Sequence, residues 1–141
     1  MPIIRTELGK DVVIHHPELV NIFDSVIGDN CKISAFVEIG GATIGDNCKI
    51  QSFAFIPRRI KIGNNVFIGP HVNFLNDKHP PSGGKYWMHT TVENKVVIGG
   101  GATILPGLVL EEGCVIGAGA VVTKNVSAGS VMVGNPARCV V

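Results

Sequence analysis

The sequence predicts an all-β solenoid of short parallel strands wound three to a turn, and three observations carry that prediction. Aliphatic residues recur at a step of six along most of the chain; glycine, at 18 of 141 residues, punctuates the steps; and only 6% of residues are aromatic, leaving an interior of Ile, Val, Leu and Ala. A period of six fits neither the 3.6 of a helix nor the alternation of a flat strand. It fits a unit of one short strand and one bend, three of which close a turn.

The 141 residues suit one domain over 1–141, and 45% apolar residues with a mean hydropathy of +0.34 supply its core. A net charge of +1, with no run of like charges, lacks the footprint of a nucleic-acid or membrane-surface binder. The longest uncharged run, Val96 to Leu110, is broken by Gly99, Gly100, Gly101, Pro106 and Gly107, and the opening MPIIRTELGKD has no apolar signal-peptide core. A cytoplasmic protein is the expectation.

The ladder runs Ile27, Ile33, Ile39, then a step of five to Ile44, and on through Ile50, Ile56, Ile62, Ile68 and Phe74. After one interruption it resumes at Val92, Ile98, Ile104, Leu110, Ile116 and Val122. These side chains point inward and stack on their equivalents one turn away, each burial contributing about 1.5–3 kcal/mol. The fourth residue after each rung is small or aliphatic and faces inward beside it. Cys31, Cys48 and Cys114 take that place and read as inert buried thiols; no pair has C-x-x-C spacing, and Cys139 lies outside the ladder. The steps of five, Ile22 to Ile27 and Ile39 to Ile44, mark tightened corners, and Asn30, Asn47 and Asn65 suit bends that need positive φ. Residues 1–19 precede the ladder and are expected to form an N-terminal cap or extension, because a bare end exposes strand edges.

The hexads from Val20 to Arg138, with the stretch IGGGATILPGLVLEEGCVIGAGAVVTKNVSAGSVMVGNPARCV closing on Gly134, Pro136, Ala137 and Arg138, resemble the hexapeptide-repeat acyltransferases. The resemblance implies a left-handed parallel β-helix and a homotrimer. It also implies an acyl group carried by CoA, with thioester and acceptor meeting between subunits.

The interruption, FLNDKHPPSGGKYWMHTTVENK, holds the chain's only Trp and only Tyr. From Leu75 to about Thr91 the chain leaves the coil as one extended loop, residues 75–91. An interior filled with Ile has no cavity, so chemistry belongs outside, at this departure. His79 is the candidate general base, since an imidazole takes a proton at neutral pH; Asn76 and Asp77 are placed to orient it or to bind the acceptor amine. FLNDKHPPS resembles the N-acetyltransferases of nucleotide-linked amino sugars, some of which let the amine attack without a protein base. Pro81 and Ser82 stand where those relatives often carry Arg. His71, expected just below the loop, and Trp87 are further acceptor contacts; Arg58, with Arg59, suits a diphosphate.

For acetyl-CoA the candidates are Gly117, Ala118, Gly119 and Ala120, whose small side chains leave backbone groups open to the pantetheine arm, with Pro106 one turn earlier. Thr123, Lys124 and Arg138 resemble positions that meet the nucleotide end of CoA, where a cation pairs with phosphate. No metal is expected. The expected activity is acetyl transfer to the amine of a nucleotide-linked sugar, with a hydroxyl acceptor as the alternative. A zinc site of the γ-carbonic-anhydrase type, from His71, His79 and His89, and a solenoid without catalysis are the rivals. His15 and His16 read as ordinary surface residues.

Overall fold

The computed structural model describes residues 2–140, and among them the strands build a β-solenoid of about seven turns. The first sheet stacks Ile3–Ile4, Asn21–Phe23, Glu38–Gly40, Phe55–Ile56, Asn73–Phe74, Thr103–Ile104 and Val121–Val122. The second holds Glu7–Leu8, Val26–Ile27, Thr43–Ile44, Ile60–Ile62, Thr90–Val92 and Val109–Leu110, and the third runs from Val13–Ile14 to Val131–Val133. All these pairings are parallel. Arg138–Cys139 alone turns back, pairing antiparallel with Val131–Val133 at the C-terminal end. The one helical turn among the described residues is the 3-10 segment Pro17–Leu19.

The register explains the hexad. Ile22 lies beside Ile39 and Ile56; Ile27 beside Ile44, Ile62, Val92 and Leu110; Ile33 beside Ile50, Ile68, Ile98 and Ile116. Every rung named from the sequence is buried, as is the residue four places after each one except at the tightened step after Ile39 and at the loop after Phe74, where Thr43 and Lys78 face out. Stacking identical branched side chains at strand spacing fills the prism without gaps. Cys48 sits over Cys31, each thiol donating to a backbone carbonyl of the next turn, Gly63 and Gly45 respectively at 3.1 Å. The neighbouring Cys31, then burial, pushes the Cys48 thiol up, and burial pushes Cys114 up to about 11. Neither is a nucleophile at neutral pH.

Residues 3–14 are more than a cap: their three strands pair in register with the next turn and form the first turn of the solenoid. Ile3, Leu8 and Ile14 continue the ladder, which the His15–Leu19 insertion throws out of step.

Three edges separate the sheets. Between the second and third, side-chain oxygens climb from turn to turn: Asp29 Oδ1 accepts the Lys10 N–H, Asp46 Oδ1 that of Asp29, Asn64 Oδ1 that of Asp46 and Asn94 Oδ1 that of Asn64, all within 2.7–2.8 Å. Those oxygens fill the space where a Cβ would stand at Gly9, Gly28, Gly45 and Gly63, so glycine is required there. Asn30, Asn47 and Asn65 have φ of 58° at this edge, as the sequence predicts. Between the first and second sheets, the tight corner at Ser25 replaces a lost residue with a hydroxyl. Ser25 Oγ donates to Phe23 O and accepts from the Gly41 and Ala42 N–H groups at 3.0 and 3.1 Å. The third edge, leading back to the first sheet, carries a stack of left-handed residues, Phe36, Phe53 and His71, continued by Gly101 and Gly119.

Candidate active site

The loop leaves the edge between the first and second sheets at Leu75 and rejoins at Thr90, so it closes earlier than the sequence suggested. Both of its ends rest on the two arginines of the turn beneath. Asn76 Nδ2 donates to Arg58 O at 3.0 Å, and the Thr90 N–H donates to Arg59 O at 2.9 Å. The neck is closed by the Met88 N–H to Asn76 O at 2.8 Å and by the Asp77–Trp87 bridge.

Asp77 organises the tip. Its carboxylate accepts the backbone N–H groups of His79 at 3.1 Å and Ser82 at 2.8 Å. Desolvation alone would raise its pKa, but these bonds and the Trp87 side chain outweigh it and hold the carboxyl below the ordinary range. Asn76 and Asp77 thus spend their side chains within the loop and its base, Asn76 on the Arg58 carbonyl and Asp77 on groups of His79, Ser82 and Trp87. His79 itself is exposed, with its ring set edge-on to Tyr86 at 6.1 Å, and no hydrogen bond to that ring is made among the described residues. Trp87 folds back over the first sheet, lining a hollow of about 230 Å³ with Phe23, Phe55, Pro57, Arg58 and Asn76.

Arg58 is already partnered. Its Nη2 lies 2.6 Å from Asp24 Oδ2, while Arg5 Nε lies 2.5 Å from Asp24 Oδ1, and the guanidinium sits 5.9 Å from the centre of the Phe23 ring. Hydrogen bonds from Arg5 and then Arg58 hold Asp24 below the ordinary carboxylate range. Arg59 turns to the other side, onto the second sheet. Its Nη1 donates to His89 Nε2 at 3.0 Å, which fixes that ring as the tautomer with its hydrogen on Nδ1. A trough of about 690 Å³ lies there, lined by Gly41, Thr43, Arg58, Arg59, Ile60, Lys61 and His89. Reading from sequence passed over Lys61. The signal was strand alternation: with Ile60 and Ile62 facing in, Lys61 must face out.

The candidate coenzyme residues divide between edges. Thr123 and Lys124 stand on the loop edge above Pro106 and Gly107, whereas Gly117, Ala118 and Gly119 stand on the edge before the first sheet. Two corrections follow. Ala120 points into the core with no exposure, its carbonyl taking the Thr103 N–H, and Pro106 is buried, so neither offers a side chain to an outer groove. Met88 fills the place of a Cβ at Gly107, roofing that turn. Ala118 and Gly119 are exposed, with open space over Gly119. Arg138 is exposed on the returning strand.

His71 is displaced from the position expected of it. It lies one prism face from the loop, stacked on Phe53 at 4.7 Å and 9°, with Phe53 stacked on Phe36 at 5.1 Å. His71, His79 and His89 occupy separate places, and among the described residues no three His, Cys, Asp or Glu side chains are grouped to hold a metal ion. No helix among them is long and apolar enough to cross a membrane.

A family described as "Bacterial transferase hexapeptide (six repeats)" matches residues 24–58 and 89–124, just over half of the chain. An acetyltransferase-named protein of Schizosaccharomyces pombe is 42% identical over 85 residues, which are 56% of this chain and 41% of that one. Galactoside O-acetyltransferase of Lactococcus lactis is 32% identical over 131 residues, 84% of this chain and 63% of the relative. The chain therefore spans about half the length of the curated relatives it matches. Among solved structures, a variant of AntD, an N-acyltransferase from Bacillus cereus in complex with dTDP and coenzyme A, superposes with a TM-score of 0.77 at 22% identity, over 98% of this chain and 84% of its own. At that identity the likeness is one of fold.

Proposed function

Because the chain belongs to the bacterial transferase hexapeptide family, we propose that it transfers an acetyl or other short acyl group from acetyl-CoA to the amino group of a nucleotide-linked sugar, as a cytoplasmic homotrimer. The observation that carries this reading is the division of the candidate site between two edges of the prism. His79 projects from one edge, while the open small-residue strip of Ala118 and Gly119 runs along another. A single copy keeps them a face apart; copies packed side by side bring the loop of one against the strip of the next. That geometry supports a trimer with shared sites.

In such a cleft the acceptor nitrogen adds to the thioester carbonyl carbon and its proton passes to the His79 imidazole. The C–S bond then breaks, and the imidazolium returns the proton to the departing sulfur. A positioned base of this kind contributes on the order of 10²–10⁴ in rate. Asp77 and Asn76 hold the loop so that His79 stays at its tip. Lys124 and Arg138, exposed cations near the C-terminal end, suit the phosphates of CoA.

An N-acyltransferase with dTDP and coenzyme A among the structural neighbours favours a nucleotide-linked amine. The sequence match to a galactoside O-acetyltransferase supports the second reading, a sugar hydroxyl. The test is thiol release from acetyl-CoA with a panel of amino-sugar nucleotides and simple glycosides. His79→Ala should cost at least tenfold in turnover with an unchanged melting temperature. Absence of thiol release with every acceptor, together with no stabilisation by CoA, refutes the reading.

A further inference from the structure

We infer that the trough beneath the loop, formed by Arg59, Lys61 and His89 on the outer face of the second sheet, binds a phosphate group of the acceptor. The inference rests on the acyltransferase reading and narrows it to acceptors that carry phosphate.

Charge is the first argument. Asp24 already holds Arg58 at 2.6 Å and shares itself with Arg5, so Arg58 brings no unspent charge to the trough. Arg59 and Lys61 have no carboxylate partner among the described residues. No acidic side chain lines the trough. Glu93 and Glu112 line an adjoining hollow of about 340 Å³ whose wall Lys61 shares, and there Glu93 Oε1 accepts the Glu112 N–H, while neither glutamate makes an ion pair with Lys61. Two cations facing one concave space match the total charge of about −2 on the diphosphate of a nucleotide-linked sugar better than the single charge of a carboxylate.

Geometry is the second. Arg59 is held out from the coil by a left-handed backbone, φ 78°, and its guanidinium is steadied by His89 from the loop's return strand. A guanidinium so fixed presents its remaining N–H groups as a fork, the arrangement that takes two phosphate oxygens at once. Thr43, on the neighbouring strand and in register with Lys61, adds a hydroxyl to the same wall.

Position is the third. The carbonyls of Arg58 and Arg59 anchor both ends of the loop that bears His79, so a phosphate on Arg59 sits at the loop's base. Thr123 and Lys124 stand two strands further along the first sheet from the loop, about 10 Å toward the C-terminal end. The two anionic ends of the reactants are thereby kept apart: CoA above the loop, acceptor below it.

The experiment uses isothermal titration of the intact protein with inorganic pyrophosphate, uridine diphosphate, acetyl-CoA and 3′-dephospho-CoA, on wild type, Arg59→Gln and Lys61→Gln. Pyrophosphate and uridine diphosphate should bind wild type, weaken at least tenfold in each variant and weaken with added salt. Acetyl-CoA should bind all three proteins equally, which also shows that the variants fold. Unchanged pyrophosphate binding in both variants overturns the inference. So does a parallel loss of acetyl-CoA binding that 3′-dephospho-CoA does not show, because the phosphate would then be the coenzyme's. Wild type that binds pyrophosphate through Arg59 but shows no acetyl-CoA binding or thiol release refutes the acyltransferase reading while leaving the anion site standing.

Discussion

Gly45→Ala tests the packing of turn on turn more directly than any core truncation. A Cβ at Gly45 would stand in the space of Asn64 Oδ1 and 2.6 Å from Gly63 O, a backbone atom of the next turn that has no rotamer with which to retreat. Non-bonded carbon and oxygen do not approach so closely, so the two turns must part locally. Overpacking of this kind costs about 1–3 kcal/mol. Displacing the Asn64 amide also breaks the 2.8 Å bond it accepts from the Asp46 N–H, worth about 1 kcal/mol more. The expected total is roughly 2–4 kcal/mol, or roughly 5–15 °C in melting temperature at this chain length. Urea denaturation followed by circular dichroism, at one protein concentration, measures it. A double-mutant cycle sharpens the claim. Once Gly45→Ala has broken the bond, Asn64→Ala should cost almost nothing further, although alone it costs about 1 kcal/mol. A Gly45→Ala protein within about 0.5 kcal/mol of wild type, or strictly additive losses, would refute the reasoning.

Two further predictions concern the loop edge. Ser25→Ala leaves the buried Ala42 N–H without an acceptor, the Gly41 N–H keeping its bond to Phe23 O at 2.9 Å, and should lower stability by about 1–3 kcal/mol, with Ser25→Thr tolerated less well than its chemistry suggests because Ser25 is buried. Equilibrium unfolding of both variants decides it. Asp24, held below its ordinary pKa of 3.8 by Arg5 and Arg58, contributes stability that is present above that value and lost as pH falls through the lowered one. Asp24→Asn should therefore lower neutral-pH stability by the same small amount by which it flattens the acid limb of a stability–pH profile, small because the pair is exposed and screened by salt. Identical acid limbs would remove the ion pairs from the account.

Much of this molecule is legible in the sequence because burial in a coil is periodic. Each turn repeats the demand for Ile at the rung and a small or aliphatic residue four places on, so the pattern survives from Ile27 to Val122 with its single break. The glycines that follow many rungs were equally visible, but their reason was not. It lies in oxygens of residues 18 to 31 places further along, at Asp46, Asn64 and Asn94. The first turn was hidden by the insertion of His15 to Leu19, which shifts Ile3, Leu8 and Ile14 out of phase. At the site, residue type pointed to His79, Asn76 and Asp77 but not to their division of labour, since whether a carboxylate faces substrate or backbone depends on the loop's own path. Likewise Arg58 and Arg59 read as twins, and only the positions of Asp24 and His89 separate a cation already satisfied from one that is not.

The strand Arg138–Cys139 has a consequence for assembly. Parallel coils stacked by backbone pairing carry, at either extremity, rows of amide groups ready to accept another copy, and molecules built this way are prone to grow into threads. By reversing direction, the last strand presents the wrong polarity to an incoming first turn on one of three faces. A newcomer matched to two faces is mismatched on the third. End-to-end growth thus lacks a matched template on that face.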